Sequence, residues 1–199
     1  MNRLVVTMAS QHGAGSDVIG PRVADELGVP FLDRALPTDP EEPEQRARGL
    51  VGSLARASSV VAGEPVERLD LAEGRLQAEL AEFLARAQST GGVVLGRGGV
   101  VAAGDAPTAL HVLLTGPDEG RIARVAEREG VDRAEAERRM RAHDRARLEY
   151  IRHAFGVDGN DRTLYHLIVD TVALGIDGAV EIVVTAARAR ARRLPVRES

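Results

Sequence analysis

Between a short apolar run, Leu4-Val5-Val6-Thr7-Met8-Ala9, and the first stretch of helical periodicity stands the string Ser10-Gln11-His12-Gly13-Ala14-Gly15-Ser16-Asp17. Gly13 and Gly15 permit a loop whose backbone N–H groups turn inward. The helix that follows adds its dipole, so these residue types suit capture of an anion such as a phosphate. The usual form of such a loop, GxxxxGK[ST], has a lysine for the outer phosphates and a hydroxyl for magnesium. Here Ser10 stands at the first glycine position and Ser16 at the lysine position. The same glycines serve equally well in a plain tight turn, with Ser16 or Asp17 as N-cap of the helix.

The missing lysine is general. All 26 basic residues are arginine, which excludes Schiff-base chemistry and leaves guanidinium groups as the permanent cations for an anionic ligand. Neutralisation of a transferring phosphoryl group by charge-assisted bidentate contacts then falls to arginines. The candidates are Arg97, between Gly96 and Gly98, and Arg145 and Arg147 of the string Asp144-Arg145-Ala146-Arg147. Two residues apart on a helix, Arg145 and Arg147 do not share one face. Arg121 and Arg124 read as surface charges. His12, protonated, would add positive charge to the loop, although a solvent-facing loop histidine is the commoner case. The other histidines, His111, His143, His153 and His166, lack the i, i+4 spacing of a helical metal pair. With no cysteine, thiolate catalysis and disulfides are excluded.

These groups need elements to hold them. Val18, Ile19, Val23, Ala24 and Leu27 give a helix stopped by Gly28, and 29–33 reads as a second short strand ending in Asp33. The Pro- and acid-rich 37–44 reads as a surface loop. A weak helical pattern over 44–62 and a strong one from Leu69 to Ala87 lead to a buried strand, Val93-Val94-Leu95, and then Gly96-Arg97-Gly98-Gly99. Ala109–Leu114 is a fourth strand, followed by a short helix around Ile122, Val125 and Ala126. Asp132, with Glu135 three residues on, caps a long helix running towards Gly156. Leu164–Val169 is the last strand and leads to Asp170; Asp177 caps a final helix. Strands alternating with helices predict an α/β fold, a five-stranded parallel sheet with ligands beyond its carboxyl ends.

The chain has 199 residues, of which 44% are hydrophobic, enough for one domain with a sizeable core. A net charge of −4 and 3% aromatics disfavour nucleic acid as partner, and the arginine-rich end fits the dipole of a last helical turn. No apolar run approaches the roughly 20 residues of a membrane span, so a soluble cytoplasmic protein is expected. Oligomeric state is not readable from these residues.

SQHGAGSD after the first strand, GVPFLDR after the first helix, GRGG, DRAR and LIVDT, in that order, resemble the cytidylate kinase-like family, relatives of P-loop nucleoside monophosphate kinases. The resemblance covers nearly the whole chain. It implies a P-loop kinase fold over 1–199, with helices of 44–89 as acceptor-side subdomain and 132–156 as a lid-like region. It further implies phosphoryl transfer from ATP to a nucleoside monophosphate, CMP or dCMP. The alternative is a nucleotide-binding regulator or scaffold without transfer. By the same resemblance Ser10, His12, Gly13, Ala14, Gly15, Ser16 and Asp17 bind phosphate. Arg97 meets the acceptor monophosphate, Asp33 lies beside the acceptor, Asp170 lies near the donor adenine, and Arg145 and Arg147 close over the phosphates. The sequence departs from cytidylate kinases where Ser16, Val18 and Leu95 replace a lysine, a threonine and an acid. Magnesium thus loses its usual protein ligands.

Overall fold

A computed structural model describes residues 4–32, 78, 80–87, 89–96 and 98–193. Strand β1 (Val5–Ser10) ends in the glycine loop, and helix α1 (Ser16–Leu27) follows, closed by left-handed Gly28. Next come β2 (Phe31–Leu32), helix α2 (80–87), β3 (Gly92–Leu95) and a short helix α3 (Gly99–Ala103). Strand β4 (Ala109–Thr115), α4 (Asp118–Glu129), α5 (Arg133–Phe155), β5 (Leu167–Asp170) and α6 (Thr171–Ala191) complete the order.

The expected five-stranded sheet forms, in the order β2-β3-β1-β4-β5. All pairings are parallel, with Val6 opposite Val93 on one side and Leu110 on the other. Central β1 is therefore buried on both faces, which is why it reads as a continuous apolar run. Val6 and Met8 pack with Ile19 and Val23 of α1 and Val180, Val183 and Val184 of α6. Val5 and Val94 pack on the opposite face against Leu80, Leu84 and Ala87. A satellite cluster of Ile122, Val125, Ala136 and Met140 fastens α5 to α4.

Several boundaries differ from expectation for physical reasons. Leu164 is not in the last strand, because Asp161 accepts from the backbone N–H and hydroxyl of Thr163 and winds 162–164 into a 3₁₀ turn. The final helix begins before Asp177. Asp170 caps it, accepting from the N–H groups of Val172 at 2.9 Å and Ala173 at 3.0 Å, and Gly175 interrupts it with φ 71° and ψ 174°. Asp177 instead pairs with Arg22 at 2.6 Å. The long helix α5 follows the sequence reading, with Asp132 accepting from the Glu135 N–H at its start and Gly156 at its end. Helix α3 had no counterpart in the periodicity. Asp33, the loop 37–44, the weak pattern over 44–62 and most of the acceptor-side segment 44–89 lie outside the described residues, as does Arg97.

Candidate functional site

The loop from Ser10 to Ser16 sits beyond the carboxyl end of the central strand, where a parallel sheet presents its ligands. Gly13 and Gly15 take φ of 83° and 78°. A Cβ on Gly13 would lie 2.6 Å from the Arg121 carbonyl oxygen, so both conformation and space require glycine there. Gly15 itself is the N-cap of α1, with no side-chain cap, which corrects the assignment of that role to Ser16 or Asp17. Ser16 is the first helical residue and is buried. Asp17 is exposed and pairs with Arg128 at 3.3 Å.

Ala14 donates its N–H back to the Gln11 carbonyl at 3.1 Å, closing the turn. The N–H groups of Gly13, Gly15, Ser16 and Asp17 meet no acceptor among the described residues. Gathered at a helix start, four such donors favour an anion.

The rest of the loop is tied down. The Ser10 hydroxyl donates to the Gln11 carbonyl at 2.9 Å, and the Thr115 hydroxyl donates to the Gln11 side-chain oxygen. The buried Thr171 hydroxyl donates to the Ala14 carbonyl at 2.9 Å. Arg124 in turn donates to the Thr171 hydroxyl at 3.0 Å and to its carbonyl at 2.6 Å. Both polar groups of the His12 backbone are taken. Its N–H donates to Asp144 Oδ1 at 2.8 Å, and its carbonyl accepts from Arg121 Nη1 at 2.9 Å.

His12 does not supply the missing positive charge. Its ring stacks on His143 at 4.2 Å and is only 10% exposed. Burial, then His143 and Arg128, lower its pKa to about 4 against a smaller opposing pull from Glu129, so it is neutral at pH 7. Arg145 and Arg147 of α5 separate as their spacing requires. Arg145 is exposed, whereas Arg147 donates to the Gly159 carbonyl at 3.3 Å and to Asn160 Oδ1 at 2.7 Å, away from the loop. What DRAR brings to the loop is its aspartate.

Neither Arg121 nor Arg124 is the surface charge expected: Arg124 is half-buried against Thr171. Arg121 is 3% exposed and donates to the Gly116 and His12 carbonyls, Asp118 and Asp144. A signal existed: Arg121 stands one residue before Ile122 and four before Val125, on the inward stripe of α4. Among the described residues, Leu95 and Val18, which replace the usual magnesium ligands, offer the ion no oxygen. Leu95 is buried in the core, Val18 presents an apolar side chain, and Asp17 is engaged by Arg128.

A family model described as the cytidylate kinase-like family matches residues 5–173. The chain is 32% identical over 179 residues to a cytidylate kinase from Methanopyrus kandleri, covering 84% of each protein. A crystal structure of an uncharacterized protein from Eubacterium ventriosum superposes with a TM-score of 0.72 at 17% identity, over 94% of this chain and 99% of that one. Shikimate kinase from Bacteroides thetaiotaomicron superposes with a TM-score of 0.52 at 17% identity, over 93% and 98% respectively. These likenesses show the fold to be that of the P-loop kinases. Among the described residues, no helix is long and apolar enough to cross a membrane.

Proposed function

The chain belongs to the cytidylate kinase-like family, and from that premise we propose that it transfers a phosphoryl group from ATP to a nucleoside monophosphate, with CMP or dCMP as acceptor. The observation that best supports this reading is the set of four loop N–H groups at the start of α1 that meet no acceptor among the described residues. They cradle the donor phosphates, and the helix dipole adds to their hold. Phosphoryl transfer asks mainly for positioning and charge neutralisation, which a loop braced by Thr171, Arg121 and Asp144 is built to give.

The arginines divide the remaining work. Arg145, exposed on α5, swings over the transferring group as the lid closes, and Arg147 holds the segment at Gly159 and Asn160 that follows the lid. Arg97 receives the acceptor monophosphate, Asp33 lies beside the acceptor nucleotide, and Asp170, capping α6, borders the donor base. The names of the curated relatives give no support to a regulator without transfer.

The test is a coupled assay with ATP and a panel of nucleoside monophosphates. Turnover with CMP or dCMP well above that with AMP, GMP and UMP is expected. ATP binding by calorimetry without turnover on any acceptor would overturn the reading in favour of the non-transferring alternative.

A further inference from the structure

The missing lysine removes the side chain that usually ties a phosphate loop to its ligand, yet the loop here is held in shape by the protein's own groups. The hold concentrates at His12. Its N–H and its carbonyl belong to consecutive peptide planes, and each is fixed by a charged partner: Asp144 Oδ1 at 2.8 Å and Arg121 Nη1 at 2.9 Å. Those two partners also bind each other, Arg121 Nη1 to Asp144 Oδ2 at 2.7 Å. Arg121 is anchored further by Nε to the Gly116 carbonyl at 3.0 Å and by Nη2 to Asp118 at 2.7 Å.

We propose that Arg121 and Asp144 are positioning residues for nucleotide binding: a guanidinium–carboxylate pair that clamps both sides of His12 and sets the loop's N–H groups for a phosphate. This rests on the reading of the loop as a nucleotide site. A guanidinium as buried as Arg121 is costly unless its charge is met and its donors are used: Asp144 and Asp118 meet the charge, and the Gly116 and His12 carbonyls take the remaining bonds. The clamp also joins three elements, because Arg121 lies on α4 and Asp144 on the lid-like α5, which pack through Ile122, Val125, Ala136 and Met140. The position of α5 is thereby linked to the geometry of the loop.

A carboxylate on a phosphate loop has a second meaning, competition with the ligand. The hydrogen bonds oppose it. Asp144 takes only the His12 N–H, its other oxygen is occupied by Arg121, and the N–H groups of Gly13, Gly15, Ser16 and Asp17 are left to the ligand. The two meanings predict opposite signs when the carboxylate is removed.

The experiment titrates ATP into the full chain and into the variants Asp144→Asn, Asp144→Ala and Asp132→Ala. Asp132 caps the same helix without touching the loop, so its variant weakens α5 alone. ATP affinity falls about tenfold or more in both Asp144 variants, and by less than about twofold in Asp132→Ala. Unchanged or tighter ATP binding in the Asp144 variants overturns the clamp, tighter binding in favour of competition. If the unaltered chain binds no ATP, the phosphotransfer reading fails, and amide exchange of residues 11–17 without nucleotide decides the clamp. Faster exchange in Asp144→Asn but not in Asp132→Ala supports it, and equal exchange overturns it.

Discussion

Two stacked histidine pairs occur in this molecule, and their surroundings differ. His111 and His166 lie 4.7 Å apart, centroid to centroid, and 11° from parallel. The ring of His111 is satisfied by neutral groups: Nε2 donates to the Gly104 carbonyl at 2.8 Å, and Nδ1 accepts from the Thr7 hydroxyl at 2.7 Å. His166 Nδ1 accepts from the His111 N–H, and its own N–H returns to the His111 carbonyl, both at 2.9 Å. This pair staples β1, β4 and the approach to β5. His12 and His143 stack as closely, at 4.2 Å and 9°, but the His12 ring faces charges, Glu129 at 3.3 Å and Arg128 at 3.5 Å. The same motif is thus a staple hydrogen-bonded by neutral groups at the sheet, whereas at the glycine loop it joins an ion-pair network that reaches α5 through Glu129 and Arg139.

The sharpest way to break that contrast is to disrupt the loop alone. In Gly13→Val the new side chain meets a backbone oxygen at 2.6 Å and a φ of 83° that β-branched residues resist. Urea unfolding should show a loss of about 2–4 kcal/mol, and ATP binding should vanish while circular dichroism of the sheet is kept. Retained ATP affinity in a folded variant would remove the loop from the site.

Acid tests the two pairs together. His12 has its pKa depressed from 6.5 to about 4, and burial also lowers those of His111 and His166. Above pH 6.5 these rings are neutral in both folded and unfolded chains and contribute no slope. As pH falls below 6.5 the unfolded chain takes up protons that the folded chain refuses, so stability falls, and the His12 share is complete once the pH is below 4. That share is roughly 2–3 kcal/mol between pH 7 and 4.5. Urea midpoints of the unaltered chain and of His12→Gln at both pH values measure it. The variant should lose most of its share of the slope, leaving that of the staple, and an unchanged slope would contradict the buried neutral ring.

The difference between the pairs also marks what the sequence could disclose. Elements governed by local pattern were legible: the apolar run of β1, the glycines of the loop, and the Asp132 and Glu135 start of α5 all stand as read. The clamp was not, because it depends on where chain segments far apart in sequence meet. Arg121 is one arginine among 26, and only tertiary packing puts it under His12. Nothing in the pattern sets the Asp144 of DRAR apart from its two arginines, since helical spacing says nothing about which of three neighbouring side chains turns towards a loop 132 residues earlier. Helix α3, five residues long, is too short to show periodicity.

A smaller effect sharpens the neutral side of the comparison. Thr7→Val keeps shape but removes the hydroxyl that donates to His111, leaving a buried acceptor unmet. A loss of about 1–2 kcal/mol in urea is expected. ATP affinity should stay within experimental scatter, because Thr7 bonds to the staple and not to the loop. A parallel fall in ATP affinity would show that the two regions are coupled after all.

The smallest effect isolates charge from packing at the loop. Arg128 is 40% exposed, and its contacts to Asp17 at 3.3 Å and Glu129 at 3.0 Å are the kind of surface pairs that contribute little. Arg128→Ala should therefore change stability at pH 7 by no more than about 0.5 kcal/mol. Its effect lies in acid. Arg128 lowers the pKa of His12, and it also shares Glu129, whose carboxylate raises that pKa. Removing the guanidinium lifts one repulsion and leaves Glu129 freer to meet a protonated ring, although Arg139 still holds it at 2.9 Å. Both changes push the His12 pKa up towards 6.5, so the folded chain takes its proton at a higher pH and the acid loss of stability shrinks. NMR titration of the His12 ring in the unaltered and Arg128→Ala chains reads the shift directly. A pKa that fails to rise would mean that burial and the stacked His143 set it without Arg128, and the loop pair would then be governed by the same two causes, burial and the partner ring, that lead for His166 in the sheet pair.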